Sequence, residues 1–139
     1  MYKTFQPRGS KTKRHWHLVD LAEQNIGKSA SKIAFWLQGK HKATFANHLD
    51  QGDFVVVINI EKLRLSQKKL IQKKYFHYSG YPGGIKNATQ KELWEKDPKN
   101  VVKKAVYNML PANRLRSDRL KRLYLYLDDK HPYQEKFKK

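Results

Sequence analysis

Hydrophobic residues along the chain alternate between strand-like and helix-like spacing. Trp16 to Val19 form a short apolar stretch typical of a strand, and the apolar residues from Ile26 to Leu37 recur on one face of a helix that a glycine ends. Phe54 to Ile60 is an almost unbroken run of β-branched and aromatic residues, typical of a central strand buried on both faces of a parallel sheet. This alternation predicts a single three-layer α/β/α domain, with helices on both sides of a small, mainly parallel sheet.

The second half of the chain carries shorter patterns. The lysine-rich stretch Ser66 to Lys74 predicts one or two helical turns, and Tyr75 to Tyr78 predicts another strand. Ser117 is predicted to cap a short helix that includes Leu123, and Tyr124 to Leu127 predict the last strand.

Two helices in this half have clear start signals. Thr89 followed by Glu92 matches a capping box, in which the hydroxyl and the carboxylate satisfy free backbone amides reciprocally. Asp97 before Pro98 places an N-cap ahead of a proline at the first helical position. Apolar residues then recur at helical spacing up to Pro111, and we expect this helix to pack on the sheet.

Charge narrows the class of partner. The 139 residues include 30 Lys and Arg against 12 Asp and Glu, for a formal net charge of +18, which favours a polyanion and above all nucleic acid. An anionic membrane would call for a lipidation signal or a broad apolar helix face, and neither stands out. The absence of cysteine excludes disulfides and thiolate zinc sites. We expect a mobile basic arm over residues 1–12, a folded domain over 13–133 and a basic tail over 134–139.

One segment imitates a phosphate-binding loop. Ala22 to Ser29 follow a predicted strand and open a predicted helix, as such a loop does. However, Ala22 replaces the usual first glycine, and Glu23 places a carboxylate near the phosphates. We therefore favour a helix start whose Lys28 and backbone amides face an external phosphate, with a small P-loop phosphotransferase as the rival interpretation.

Two other groups invite a metal or catalytic interpretation. His15 and His17 alternate on the first strand, but no third ligand is evident nearby, so a phosphate or base contact is favoured. His48, Asp50 and Asp53 would suit an acid/base cluster, but the carboxylates frame a glycine before a strand, where they usually organise turns. We predict no metal site, no cofactor, no small-molecule substrate and no catalytic residue.

Three regions mix basic residues with aromatic, amide and glycine residues: the first patch (39–47), the second patch (68–86) and the third patch (113–122). Cations neutralise phosphates, aromatic and guanidinium planes stack on unpaired bases, and glycines let the backbone approach RNA. This mixture favours a folded RNA surface over a DNA groove. The predicted RNA-contact residues are Lys40, His41 and Lys42 in the first patch; Lys68, Lys69, Lys73, Lys74, Tyr75, His77, Tyr81, Pro82, Gly83, Gly84 and Lys86 in the second; Asn113, Arg114, Arg116, Arg119, Lys121 and Arg122 in the third; and Lys13, Arg14, Lys28 and Lys32 outside them.

Several sequence blocks carry a family resemblance. They are Trp16–Asp20 followed by Gly27-Lys28, Gly39–Lys42, His48–Asp53 leading into Val57–Asn59, Gly80–Gly84, Met109–Pro111 with Asn113–Leu115, and His131-Pro132. With these blocks the chain resembles the large-subunit ribosomal protein thirteen family, in its bacterial and organellar form, over residues 13–133. Ala112 stands where the family commonly has Lys and Arg116 where Gly is common, so we expect a differently shaped loop there.

The resemblance implies a structural protein without a catalytic role. It implies binding to large-subunit rRNA, contact with neighbouring ribosomal proteins, and support of early subunit assembly and translation. It also implies residence in the large subunit of a cytoplasmic ribosome, with an organellar ribosome left open. A free-standing RNA chaperone or a regulator that binds mRNA is a second rival, which a ribosomal role does not exclude.

Overall fold

A computed structural model describes residues 12–137. The predicted basic arm before Thr12 and the last two residues of the predicted tail lie outside the described residues. The strands in the described part are β1 (Trp16–Asp20), β2 (Phe54–Ile58), β3 (Lys74–Tyr78), β4 (Ile85–Thr89) and β5 (Leu123–Leu125). The helices are α1 (Ile26–Gln38), α2 (Gln67–Gln72), α3 (Gln90–Lys96), α4 (Pro98–Met109) and α5 (Leu115–Leu120), with 3₁₀ turns at Ile60–Lys62 and Gln134–Lys136.

The main sheet is parallel and has three strands in the order β1-β2-β5. Trp16 pairs with Phe54, and Val56 pairs with Tyr124. Strand β2 is central, so neighbours cover its edges, and Val55, Val56 and Val57 are fully buried. That position explains the continuous apolar run and confirms the predicted α/β class and the small, mainly parallel sheet.

Strand β2 ends at Ile58, two residues earlier than predicted. Asn59 has a φ of 56°, a left-handed conformation that asparagine tolerates better than most residues. Its side-chain amide donates to Asp20 at 3.0 Å, and the chain then turns into the 3₁₀ turn. The local backbone conformation therefore interrupts an apolar run that continues to Ile60.

Helices α1 and α4 supply the core on one face of the sheet. Ile33 and Leu37 of α1 and Val102 and Val106 of α4 belong to the same buried cluster as the β2 valine Val55. Helix α4 lies chiefly against α1 and α3, and its Val102 and Val106 share the buried cluster with the sheet valine Val55, in line with the predicted packing on the sheet. The two helices thus share the apolar layer that covers this face.

The opposite face of the sheet carries an aromatic cluster. Side chains alternate between the two faces along a strand, so Trp16 points away from the residues that face α1. Its ring stacks on Phe54 at 4.5 Å between centroids and meets Tyr133 at 4.9 Å and Phe137 at 6.4 Å. The predicted three-layer arrangement is not confirmed, because the carboxyl-terminal segment with its 3₁₀ turn, and not an α-helix, supplies these contacts.

Strands β3 and β4 form an antiparallel hairpin separate from the main sheet. The predicted turns of α2 and the predicted strand β3 are confirmed. Strand β4 was not predicted, because its sequence, Ile-Lys-Asn-Ala-Thr, lacks an apolar alternation. Residues 79–84 form the connecting loop, in which Gly80 and Gly83 have positive φ values.

The predicted starts of α3 and α4 are confirmed. Thr89 and Glu92 form the reciprocal capping box, and the Asp97 carboxylate accepts from the first backbone amides of α4. The predicted start of α5 at Ser117 is wrong: the helix begins at Leu115, and the Ser117 hydroxyl donates inside it to the Arg114 carbonyl at 3.3 Å. Leu123 consequently lies in β5, outside the helix.

Candidate nucleic-acid interface

A fully buried carboxylate, Asp53, organises the first patch. One oxygen accepts from the Lys42 ammonium and from the His15 backbone amide at 3.0 Å. The other lies 2.9 Å from Nε2 of His17 and 2.8 Å from Nε2 of His41. Residues from two loops and a strand therefore converge on one carboxylate at the start of β2.

The Lys42 ammonium compensates the negative charge of Asp53. It also donates to the backbone carbonyls of Lys13 and Gln51, at 2.8 and 2.9 Å. Burial tends to raise the pKa of Asp53, but hydrogen bonds from Lys42, His17 and the His15 amide outweigh this effect and hold the pKa below its ordinary value. Asp53 is therefore an ionised anchor for the loop.

Together with two histidines, the same carboxylate forms a group of side chains that could bind a metal ion. Ligand atoms of His17, His41 and Asp53 lie within 4.8 Å of one another, so the third partner that the sequence did not reveal is present. However, the Lys42 ammonium already supplies a cation to Asp53. An added divalent ion would meet this positive charge, so the cluster fits an ion-pair anchor better than a metal site.

A second anchor joins the segment that follows the first patch to the third patch. The Asp50 carboxylate accepts a bidentate pair from Arg122, at 2.5 and 2.6 Å, and lies 3.5 Å from Arg14. The Arg122 guanidinium also donates to the Leu37 carbonyl at 3.3 Å. The predicted turn roles of Asp50 and Asp53 are corrected here, because both carboxylates accept from residues far away along the chain.

Two glycines permit this close packing of the first patch. Gly39 has a φ of 78°, and a Cβ there would lie 2.7 Å from the Gln51 carbonyl oxygen. A Cβ on Gly52 would lie 1.7 Å from the Leu37 carbonyl oxygen, which leaves no space for any side chain. The end of α1 therefore sits directly against the residues that lead into β2.

The predicted contact residues differ in exposure. Arg119 and Arg122 are buried. Those of intermediate exposure are Arg14, Lys42, Tyr75, Gly84 and Arg116. The exposed ones are Lys13, Lys28, Lys32, Lys40, His41, Lys68, Lys69, Lys73, Lys74, His77, Tyr81, Pro82, Gly83, Lys86, Asn113, Arg114 and Lys121. The geometry does not support the predicted RNA contact of Arg122, because its buried guanidinium is held by Asp50.

The first and third patches also share a cavity of about 340 Å³. Its lining includes Gln38, Lys40, Phe45, Asn47, Asn113 and Arg119. Beside it, Arg116 donates to the carbonyls of Leu110 and Pro111 and lies 4.2 Å above the Tyr107 ring. Two sequence regions about 70 residues apart thus form one basic surface.

The second patch lies on α2 and on the β3–β4 hairpin. The Tyr75 ring is flanked by Lys73 at 5.2 Å and by Lys104 of α4 at 4.9 Å, so cation–π contacts hold it against the domain. Phe76, Tyr78 and Ile85 are 69%, 59% and 64% exposed.

Sequence reasoning missed these three residues as an exposed surface. In the hairpin register Tyr78 pairs with Ile85, and Phe76 is two residues away on the same face of β3. The sequence does show Phe76 and Tyr78 alternating with Tyr75 and His77. However, their common face with Ile85 follows only from the pairing of β3 with β4, and β4 was not predicted.

In the structure, the segment from Ala22 to Ser29 does not have the features of a phosphate-binding loop. The Ser29 side chain is buried, and its hydroxyl donates to the Gln24 side-chain oxygen at 2.9 Å. In a working loop this hydroxyl would have to be free for a metal ion. Lys28 at the start of α1 remains exposed, as expected for a contact with an external phosphate.

Comparison with known proteins places this geometry in a family. No described helix has the length and apolar character needed to cross a membrane. The family model described as Ribosomal protein L13 matches residues 14–132. The large ribosomal subunit protein uL13 of Kocuria rhizophila is 44% identical over 132 residues, which cover 95% of this chain and 90% of its own length. The proteins of that name from Thermobifida fusca and a Roseiflexus species are both 43% identical, and cover 95% and 94% of this chain and 89% and 90% of their own lengths. These matches confirm the resemblance seen in the sequence blocks, and the chain belongs to the ribosomal protein L13 family.

Proposed function

We propose that the protein is a structural constituent of the large ribosomal subunit, where it binds rRNA, contacts neighbouring ribosomal proteins and supports early subunit assembly and translation. Relatives that carry the name large ribosomal subunit protein uL13 support the ribosomal role. Membership of a ribosomal protein family also makes the chain a structural protein and not an enzyme.

The observation that carries RNA binding is positive charge without internal compensation. Within residues 12–137, carboxylates pair with Arg14, Lys42 and Arg122, whereas most other predicted contact cations have no carboxylate within 4 Å. These unpaired cations are Lys13, Lys28, Lys32, Lys40, Lys68, Lys69, Lys73, Lys74, Lys86, Arg114 and Arg116. Their charges repel one another in the free protein and are neutralised by RNA phosphates.

The two anchors give this surface its shape. Asp50 and Asp53 fix the loop of the first patch and the end of the third, so the exposed cations sit on an ordered frame. Preorganised side chains lose less conformational entropy on binding than those of a flexible chain. This organisation fits a protein that holds RNA segments in a defined arrangement.

Binding to deproteinised large-subunit rRNA at graded salt concentrations tests the proposal. With about 6–10 phosphate contacts, the affinity should fall about 10³–10⁵-fold between roughly 50 and 200 mM salt. The double substitution Lys68→Gln/Lys69→Gln should flatten the slope of log affinity against log salt by about 0.7–0.9 for each phosphate that the variant no longer neutralises. Sedimentation of a lysate should place the protein with the large subunit, even after a salt wash.

A charge-matched double variant controls for net charge. Lys91 and Lys96 are exposed lysines of α3 outside the three patches, so Lys91→Gln/Lys96→Gln should keep the wild-type slope. If the two double variants have equal slopes of log affinity against log salt, the lysines of α2 do not contact RNA phosphates. A wild-type affinity that does not respond to salt would contradict phosphate binding altogether.

A further inference from the structure

The buried guanidinium of Arg119 has an incomplete set of partners. Arg119 is 1% exposed, and its Nε lies 3.9 Å from the nearest Asp50 oxygen, too far for a hydrogen bond. Asp50 already pairs with both terminal nitrogens of Arg122. Nε and Nη1 of Arg119 have no acceptor among the described residues. A buried charge with unused donors destabilises a protein unless something else accepts from it.

Arg119 lines the cavity between the first and third patches. Lys40 also lines it, and no carboxylate belongs to the described residues of its wall, so the lining favours an anion. Burial lowers the pKa of Arg119, but an arginine pKa starts so high that the group stays charged. The cavity wall therefore carries two positive charges, and one of them, Arg119, has hydrogen-bond donors without an acceptor among the described residues.

The remaining wall residues fit a nucleobase. Phe45 offers an aromatic ring of the kind on which unpaired bases stack, and the amides of Asn47 and Asn113 can donate to and accept from a base edge. The volume of about 340 Å³ is near the lower limit of roughly 300–1,000 Å³ for small-ligand sites. That size suits one nucleotide and excludes a helical RNA segment.

We propose that this cavity receives a single unpaired ribonucleotide, turned out of its RNA helix, with acceptor oxygens at Arg119 and the base against Phe45. The inference rests on the proposed RNA-binding function. Two adjoining clefts share its wall: one includes Gln38 and Lys40, and the other includes Asn113. They provide paths for the nucleotides on either side of the inserted one.

Replacing Arg119 by methionine separates a ligand role from a structural one. An apolar replacement of a poorly compensated buried charge is often neutral or stabilising, so Arg119→Met should keep or raise the Tm of the free protein. Its affinity for deproteinised large-subunit rRNA should fall at least about tenfold, because it loses hydrogen bonds from a charged group. Phe45→Leu should lower that affinity roughly 5- to 150-fold, because a leucine side chain cannot stack on a base. Lys96→Met removes one charge on α3 and should change the affinity much less.

A cross-link provides a readout that stability cannot imitate. Ultraviolet irradiation of the wild-type complex with this rRNA should give a nucleotide adduct on Phe45, detected by mass spectrometry of the digested protein, and Arg119→Met should lose it. If wild type fails to bind the rRNA, the proposed function itself fails. If wild type binds but both cavity variants bind like Lys96→Met, the nucleotide site alone is overturned. A lower Tm of Arg119→Met together with wild-type affinity would likewise overturn the site, because it would give Arg119 a role in stability alone. If Arg119→Met does not fold, the affinity of Phe45→Leu and the wild-type adduct on Phe45 test the nucleotide site instead.

Discussion

Neutralising Asp53 without changing its shape should destabilise the protein strongly. The side chain is fully buried and is the only carboxylate that pairs with Lys42 among the described residues. Asp53→Asn removes the charge and one acceptor oxygen. Breaking a buried ion pair by removing one partner costs about 3–5 kcal/mol. Because Lys42 keeps the carbonyls of Lys13 and Gln51 at 2.8 and 2.9 Å, we expect the lower end, about 3 kcal/mol.

Urea unfolding followed by tryptophan fluorescence measures this loss. Trp36 reports on the site because its ring stacks on His17 at 4.6 Å, and His17 contacts Asp53. Lys42→Met completes a double-mutant cycle, in which the double variant should cost less than the sum of the single ones by about 0.5–3 kcal/mol. A loss below about 1 kcal/mol for Asp53→Asn with an unchanged m-value, or strictly additive effects, would refute the ion-pair reasoning.

The same variant defines a pH dependence. Since the folded protein holds the pKa of Asp53 below the ordinary value of 3.8, the anchor contributes its full stability above that value. The contribution is lost as the pH falls through the lowered folded-state pKa. The difference in unfolding free energy between wild type and Asp53→Asn should therefore shrink as the pH falls below about 4. A difference that grows as the pH falls below about 4 would contradict the assigned direction.

Two further substitutions test the hairpin loop and a helix cap. Gly83→Val should cost about 1–2 kcal/mol of stability, because Gly83 has a φ of 73°, which is unfavourable for a residue with a side chain. It should also weaken RNA binding by more than the loss of stability in thermal melts explains, because a side chain there obstructs close approach of the RNA to the backbone. Equal losses of stability and binding would leave Gly83 as a turn residue only. Asp97→Ala should cost about 0.5–2 kcal/mol in urea unfolding, because its carboxylate accepts from the amides of Lys99 and Asn100 at 3.0 and 3.3 Å. Asp129→Ala, at an exposed carboxylate, should change stability by less than about 0.5 kcal/mol, and a similar loss in both variants would argue against the cap.

Elements with local signals could be predicted from the sequence. The valine run of β2 identified a central strand because burial on both faces needs apolar residues at consecutive positions. Asp97 and Pro98 located the start of α4 because capping depends on neighbours within one turn. The error at Ser117 has a related cause. A serine hydroxyl can cap a helix start or donate to a backbone carbonyl inside a helix, and Ser117 does the latter in a helix that begins at Leu115.

Contacts between remote residues could not be predicted in the same way. The pairing of Asp50 with Arg122 joins positions 72 residues apart, and no local pattern distinguishes Arg122 from the exposed Arg114. Strand β4 has a weak sequence of its own and is defined by its pairing with β3. Composition identified the basic loops, but only the tertiary structure sorts their residues into anchors and exposed cations.

That division changes how substitutions in one basic loop should be interpreted. Lys40 and Lys42 are two residues apart, yet Lys42 holds Asp53, whereas Lys40 is exposed without a carboxylate partner among the described residues. Loss of Lys42 leaves a fully buried carboxylate short of its counter-charge, so RNA affinity falls together with the free energy of unfolding. Loss of Lys40 leaves the fold intact and acts on the phosphate contact directly, so the salt slope changes without a change in stability. A basic loop in this protein is therefore part scaffold and part contact surface, and measuring both quantities for each lysine separates the two roles.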